Sequence, residues 1–61
     1  MPIVHVHMWP GRDAGEKRRL IEGITRAFVD LGIPADVVSV LVHEVPRDGW
    51  GEGGVPWTDR D

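Results

Sequence analysis

Pro2 is the residue whose chemistry depends most on its place in the chain. Removal of Met1 exposes a secondary amine on the first residue of a strand-like segment. An α-amine ordinarily titrates at about 7.7 to 8.0. Apolar surroundings and a nearby cation disfavour its charged form and bring it toward service as a general base near neutral pH. Arg12 offers a planar guanidinium fork that matches a carboxylate in two-point contact. His5 and His7 fall on one side of the same segment, an i, i+2 pair that can chelate zinc with His43 as a third ligand. No carboxylate partner for them is evident, so polar or interface histidines are the preferred reading and no metal is assigned. The chain has 61 residues and no cysteine, which removes disulfides, thiolate metal sites and thiol nucleophiles together.

Ten acidic residues against seven basic give a formal charge of −3, without the positive footprint of a nucleic-acid binder. No apolar run approaches the roughly 20 residues of a membrane span, and the start Met1-Pro2-Ile3-Val4 has no signal-peptide pattern. The expectation is a soluble, cytoplasmic protein without nucleic-acid or membrane partners. A chain this short buries little surface of its own, and without disulfides self-association is the leading route to stability.

The elements that must position these residues follow from periodicity. Pro2 to Met8 alternates Ile3, His5, His7 with Val4, Val6, Met8, the two-residue period of a strand, and Trp9-Pro10-Gly11 punctuates it. Asp13 with Glu16 three residues on reads as a capping box. Leu20, Ile21, Ile24, Ala27, Phe28 and Leu31 share one arc of a helical wheel, and Gly32 and Pro34 stop it, so the helix is expected over about 14–31. Val37 to Val45 is rich in β-branched residues and apolar on both faces, which fits a strand covered on both sides. Strand, helix, strand with this crossover predicts a right-handed βαβ unit with parallel strands. Pro46 to Trp57 interleaves Gly49, Gly51, Gly53 and Gly54 with Trp50, Glu52, Val55 and Trp57, the pattern of a glycine-kinked loop or short hairpin. Trp50 and Trp57 call for burial, which a neighbouring subunit can supply. Thr58 to Asp61 reads as frayed. The fold class is α/β, in one domain over residues 1–61.

The run Pro2-Ile3-Val4-His5-Val6-His7-Met8-Trp9-Pro10-Gly11-Arg12, the capped helix with Lys17 and Arg18, and the ending His43-Glu44-Val45-Pro46-Arg47-Asp48-Gly49-Trp50-Gly51-Glu52-Gly53-Gly54 resemble the short-chain 4-oxalocrotonate tautomerase family over nearly the whole chain. The resemblance implies a βαβ subunit assembled into dimers and usually hexamers, with the amino-terminal proline as base in a pocket between subunits. It implies acid-base chemistry on an unsaturated 2-oxo or 2-hydroxy acid, with no metal or cofactor. Arg12 falls on the family's substrate-binding arginine, and Trp50 on the aromatic residue that lines the same pocket.

Two departures qualify what the resemblance implies. Ser39 stands where well-known members carry a second arginine, and a hydroxyl is a weaker oxyanion partner than a cation. That points to a monoacid such as a phenylenolpyruvate-like enol, unless Arg47 substitutes. Glu52 lies where related 3-chloroacrylic acid dehalogenases place a water-activating glutamate, which makes hydration or dehalogenation with Pro2 and Glu52 the alternative enzyme reading. Trp9 stands at the position of those enzymes' second arginine, so half of that constellation is missing. A non-catalytic oligomer that binds a small acid is the third reading.

Overall fold

The computed structural model describes residues 1–60; Asp61, part of the expected frayed end, lies outside them. Strand β1 covers Ile3–Met8, helix α1 Ala14–Val29 and strand β2 Ser39–Glu44. A hairpin of two short strands, β3 (Gly51–Glu52) and β4 (Val55–Pro56), follows, and Trp57–Asp59 form a 3-10 turn where fraying is expected from the sequence. β1 and β2 pair in parallel, Ile3 opposite Ser39 through Met8 opposite Glu44, while β3 and β4 pair antiparallel. This is the βαβ unit with a terminal hairpin that the periodicity predicts.

Both bonds of the capping box form. The Asp13 carboxylate accepts from the Glu16 backbone N–H at 2.8 Å, and Glu16 Oε1 accepts from the Asp13 N–H at 3.1 Å. Two free amides at the helix start are thereby satisfied.

The helix ends two residues earlier than expected. Asp30 caps it, the N–H groups of Leu31 and Gly32 turn back to Phe28 and Val29, and Gly32 adopts φ +90, the left-handed conformation glycine tolerates best. Leu31, expected on the buried arc, therefore projects from the turn and is exposed. Ile21 and Ala27 are also exposed, and the half-buried stripe is Leu20, Ile24, Thr25 and Phe28. The second strand starts at Ser39 rather than Val37, because Pro34 opens a short 3-10 turn over Ala35–Val37. Proline's fixed φ suits the entry to such a turn.

α1 lies on one face of the β1–β2 sheet, over Val4, Val6, Val40 and Val42. The opposite face, carrying Ile3, His5, His7, Ser39, Leu41 and His43, is open. Ile3 is 60% exposed and Leu41 39%, so the second cover expected for β2 is not supplied by the chain itself. No side chain among the described residues is fully buried. The radius of gyration is 14.7 Å, against about 10.5 Å for a compact chain of this length. The accessible surface is 4637 Å², where size scaling gives about 4,000 Å². The excess is surface that further chains are suited to cover.

Candidate active site

Pro2 stands at the head of β1, half-buried, where its carbonyl accepts the Ser39 N–H at 3.0 Å. The ladder thus extends one residue beyond the strand proper and fixes Pro2 beside Ser39. The other candidates lie at the opposite end of the strand. At about 3.3 Å per residue, the path from Pro2 to Trp9 is on the order of 20 Å. A proton abstracted at Pro2 and a carboxylate held at Arg12 of the same chain are too far apart for one small substrate.

Arg12 follows Gly11, whose φ of +124 turns the chain out of β1 and into the helix. Its Nη1 donates to Glu16 Oε2 at 3.1 Å, so Glu16 serves the helix cap with one oxygen and Arg12 with the other. Arg12 lines an open pocket of about 300 Å³ with Met8, Glu16, Arg19 and Leu20. The larger groove, about 440 Å³, runs along α1 past Ile21, Thr25 and Val29 and contains none of the candidate residues.

The hairpin folds back and packs Trp50 on Trp9, leaving it half-buried within its own chain. Trp9 meets Trp50 edge to face with ring centroids 6.0 Å apart, and Trp57 likewise at 5.0 Å. The indole N–H groups of Trp9 and Trp57 are shielded from solvent and have no hydrogen-bond partner within the described residues. The Arg47 guanidinium lies 4.3 Å from the Trp9 ring centre, and that of Arg60 lies 4.7 Å from Trp57. Glu52 Oε2 accepts from the Trp50 indole N–H at 3.4 Å, and the Glu52 carbonyl accepts from Arg60 at 3.0 Å. Trp50 and Glu52 are therefore brought together, with Arg47 beside them through Trp9. Ser39 is brought to Pro2.

The three histidines also converge, as a stack on the open sheet face. His43 lies between His5 and His7, with centroids at 5.1 and 4.8 Å and rings within 16° of parallel. His5 Nδ1 and His43 Nε2 are 2.9 Å apart, one donating and the other accepting. Among the described residues no group of three histidine or carboxylate side chains is arranged to hold a metal ion.

Glu44 was not among the residues singled out from sequence, although its register opposite Met8 places it on the helix-facing side after Val40 and Val42. Lys17 Nζ donates to its Oε1 at 2.7 Å. That bond holds the Glu44 carboxyl below its ordinary 4.5; partial desolvation opposes the shift, and the Lys17 charge and the Gly11 backbone N–H reinforce it. The carboxylate thus ties the end of β2 to α1 and to the loop before Arg12. A depressed carboxyl stabilises the fold above its unfolded pKa and loses that contribution as pH falls through its folded value. Glu44→Gln is therefore expected to lower the melting temperature at pH 7, with the gap to the parent closing as the pH falls below 4.5 and through the lowered folded value of Glu44. A gap of constant size across that range in thermal melts would count against the assignment.

A family model described as tautomerase enzyme matches residues 2–60. The chain is 41% identical over 56 residues to a 2-hydroxymuconate tautomerase of Comamonas testosteroni, covering 90% of this chain and 89% of that protein. It superposes on a crystal structure of a 4-oxalocrotonate tautomerase homologue with TM-score 0.85 and 37% identity, covering 100% of this chain and 98% of the other. The fold recurs at TM-score 0.86 and 24% identity, over the full length of both chains, in a heterohexamer 4-oxalocrotonate tautomerase from Chloroflexus aurantiacus. No helix among the described residues is long and apolar enough to cross a membrane. The parallel βαβ unit, its glycine-rich hairpin and these relatives together make the chain a member of the tautomerase enzyme family, of the 4-oxalocrotonate tautomerase type.

Proposed function

We propose that the enzyme moves a proton within an unsaturated 2-hydroxy or 2-oxo carboxylic acid, with Pro2, freed by removal of Met1, as the base. The observation that carries this reading is the placement of Pro2 at the head of β1, pinned through its carbonyl to Ser39. A neutral secondary amine there takes the proton of an enol hydroxyl, the carbonyl forms as the double bond shifts, and the ammonium returns the proton to carbon. Arg12 binds the substrate carboxylate, Trp50 keeps the site dry, and the Ser39 hydroxyl assists at the 2-oxygen.

These parts meet only if two chains share a site. β1 pairs with β2 along one edge and has no partner along the other among the described residues. Antiparallel pairing of that edge with the same edge of a second copy sets the head of one β1 beside the tail of the other. A twofold axis then creates two equal sites, each with Pro2 from one protomer and Arg12 and Trp50 from its partner. The elongated shape and the uncovered sheet face support a homo-oligomer built from such dimers, and a hexamer of three dimers fits the heterohexamer seen for the Chloroflexus protein.

Hydration with Glu52 as the water-activating base is less favoured. Trp9, packed between Trp50 and Trp57, stands where that chemistry calls on a second arginine beside the glutamate. The deciding experiment is to add phenylenolpyruvate and 2-hydroxymuconate to protein whose mature amino terminus is Pro2 by mass spectrometry, and to follow loss of enol absorbance. Ketonisation well above the buffer rate is expected for at least one of them. Protein with a free Pro2 amine that leaves both at the buffer rate would overturn the proposal.

A further inference from the structure

We infer that Arg47, held over the ring of Trp9, is a second anion-binding residue of the site, paired in function with Arg12 of the same protomer; the inference rests on the tautomerase reading above. The described arginines differ in how they are held. Arg12 is occupied by Glu16, and Arg60 donates to the Glu52 carbonyl. Arg47 has no carboxylate partner among the described residues, yet its guanidinium is fixed 4.3 Å from the Trp9 ring centre. Trp9 is itself wedged edge to face between Trp50 and Trp57. The platform is therefore rigid while the charge on it is not neutralised.

A guanidinium drawn to an indole face by its charge keeps five N–H donors, and those without a protein partner can grip a carboxylate at two points. Arg47 opens the short turn that leads into Trp50, and Trp9 directly follows the last residue of β1. Both belong to the end of the strand that a twofold pairing sets against the partner's Pro2. Arg47 then lies across the site from the amine, where it takes a second substrate oxyanion. The Comamonas relative is named for 2-hydroxymuconate, which carries two carboxylates, and Arg12 alone answers only one. The serine at position 39 therefore does not confine this enzyme to monoacids.

The test compares 2-hydroxymuconate with phenylenolpyruvate for the parent, Arg47→Ala and Arg47→Met, the last keeping an apolar stem over Trp9 in case alanine loosens the cluster. Sedimentation checks that each variant is assembled. Losing a charge-assisted contact is expected to cut kcat/KM for the dicarboxylate by about 10- to 100-fold, with the monoacid changed less than about threefold. Equal losses on both substrates, no loss on either, or a parent enzyme that turns over the monoacid but refuses the dicarboxylate would each overturn the assignment. Tryptophan fluorescence titrated with muconate, an unreactive dicarboxylate, reads Arg47 without turnover. Weaker muconate binding in both variants, with a parent inactive on both enols, would sink the tautomerase reading and leave the anion site standing; unchanged binding would sink the anion site itself.

Discussion

Replacing Pro2 with alanine is expected to lower kcat/KM for enol ketonisation by about 10²- to 10⁴-fold, the usual contribution of a positioned general base. The fold should be nearly untouched. Pro2 lies outside β1 proper, and the bond from the Ser39 N–H to its carbonyl uses a group that alanine keeps. What changes is the amine. Alanine presents a primary amine on a backbone no longer held at proline's φ, so the nitrogen loses both its substitution and its fixed direction. A general base must stand within hydrogen-bond reach of the proton it removes, and a rotating amine is there only part of the time. The measurement is steady-state kinetics on protein with a verified mature terminus, beside sedimentation to confirm assembly. A rate within threefold of the parent in an intact oligomer would remove Pro2 from the mechanism. A sample that keeps Met1 supplies an internal control, because its Pro2 nitrogen is an amide and cannot accept a proton.

Where the sequence could be read, local physics decides the outcome. The alternation of β1, the capping box at Asp13 and Glu16, and the left-handed glycine at Gly32 depend on neighbours within a few residues, and each forms as its pattern predicts. The boundaries that moved did so at turns. Asp30 and Pro34 start tight turns that shorten the helix and delay β2, and hydrophobic periodicity has no information about where a turn begins. Contacts between distant segments were the hardest to see. Trp9 reads as punctuation before Pro10 and Gly11, yet it is the hub of the aromatic cluster, because the hairpin returns Trp50 and Trp57 to the end of β1. Glu44 was legible in principle: a carboxylate on the helix-facing side of a strand needs a cation, and Lys17 in the first turns of α1 is within reach. The histidine pair at i, i+2 was visible, but its stacking with His43 depends on the parallel register that sets His7 opposite His43. Pro2, Arg12, Ser39, Trp50 and Glu52 are candidates singled out by type, motif and resemblance. Their separation into two groups at opposite ends of β1 was not legible, since distance along a strand acquires meaning only once the strand is known to be straight and its outer edge free.

That separation leads to an unusual expected result: two inactive variants should restore each other. Pro2→Ala and Arg12→Ala are each predicted to be nearly inactive, the first lacking the base and the second the carboxylate anchor. If one site takes Pro2 from one protomer and Arg12 from its twofold partner, a mixed dimer contains one site with both residues intact and one with neither. Random reassortment of equal amounts makes about half of all dimers mixed, so about a quarter of the sites, and of the parent activity, should return. If Pro2 and Arg12 of a single chain served one site, no mixture could contain an intact pair and activity would stay at the level of the separate variants. The experiment requires exchange of subunits, achieved by co-expression with two different affinity tags and isolation of the doubly tagged species. In that purified hybrid the expected recovery depends on how many chains the oligomer holds. For a dimer it is about half the parent rate. A doubly tagged oligomer no more active than its parents would show that the site lies within one chain, and the roughly 20 Å path along β1 would then have to be closed by movement of the Gly11 to Arg12 loop.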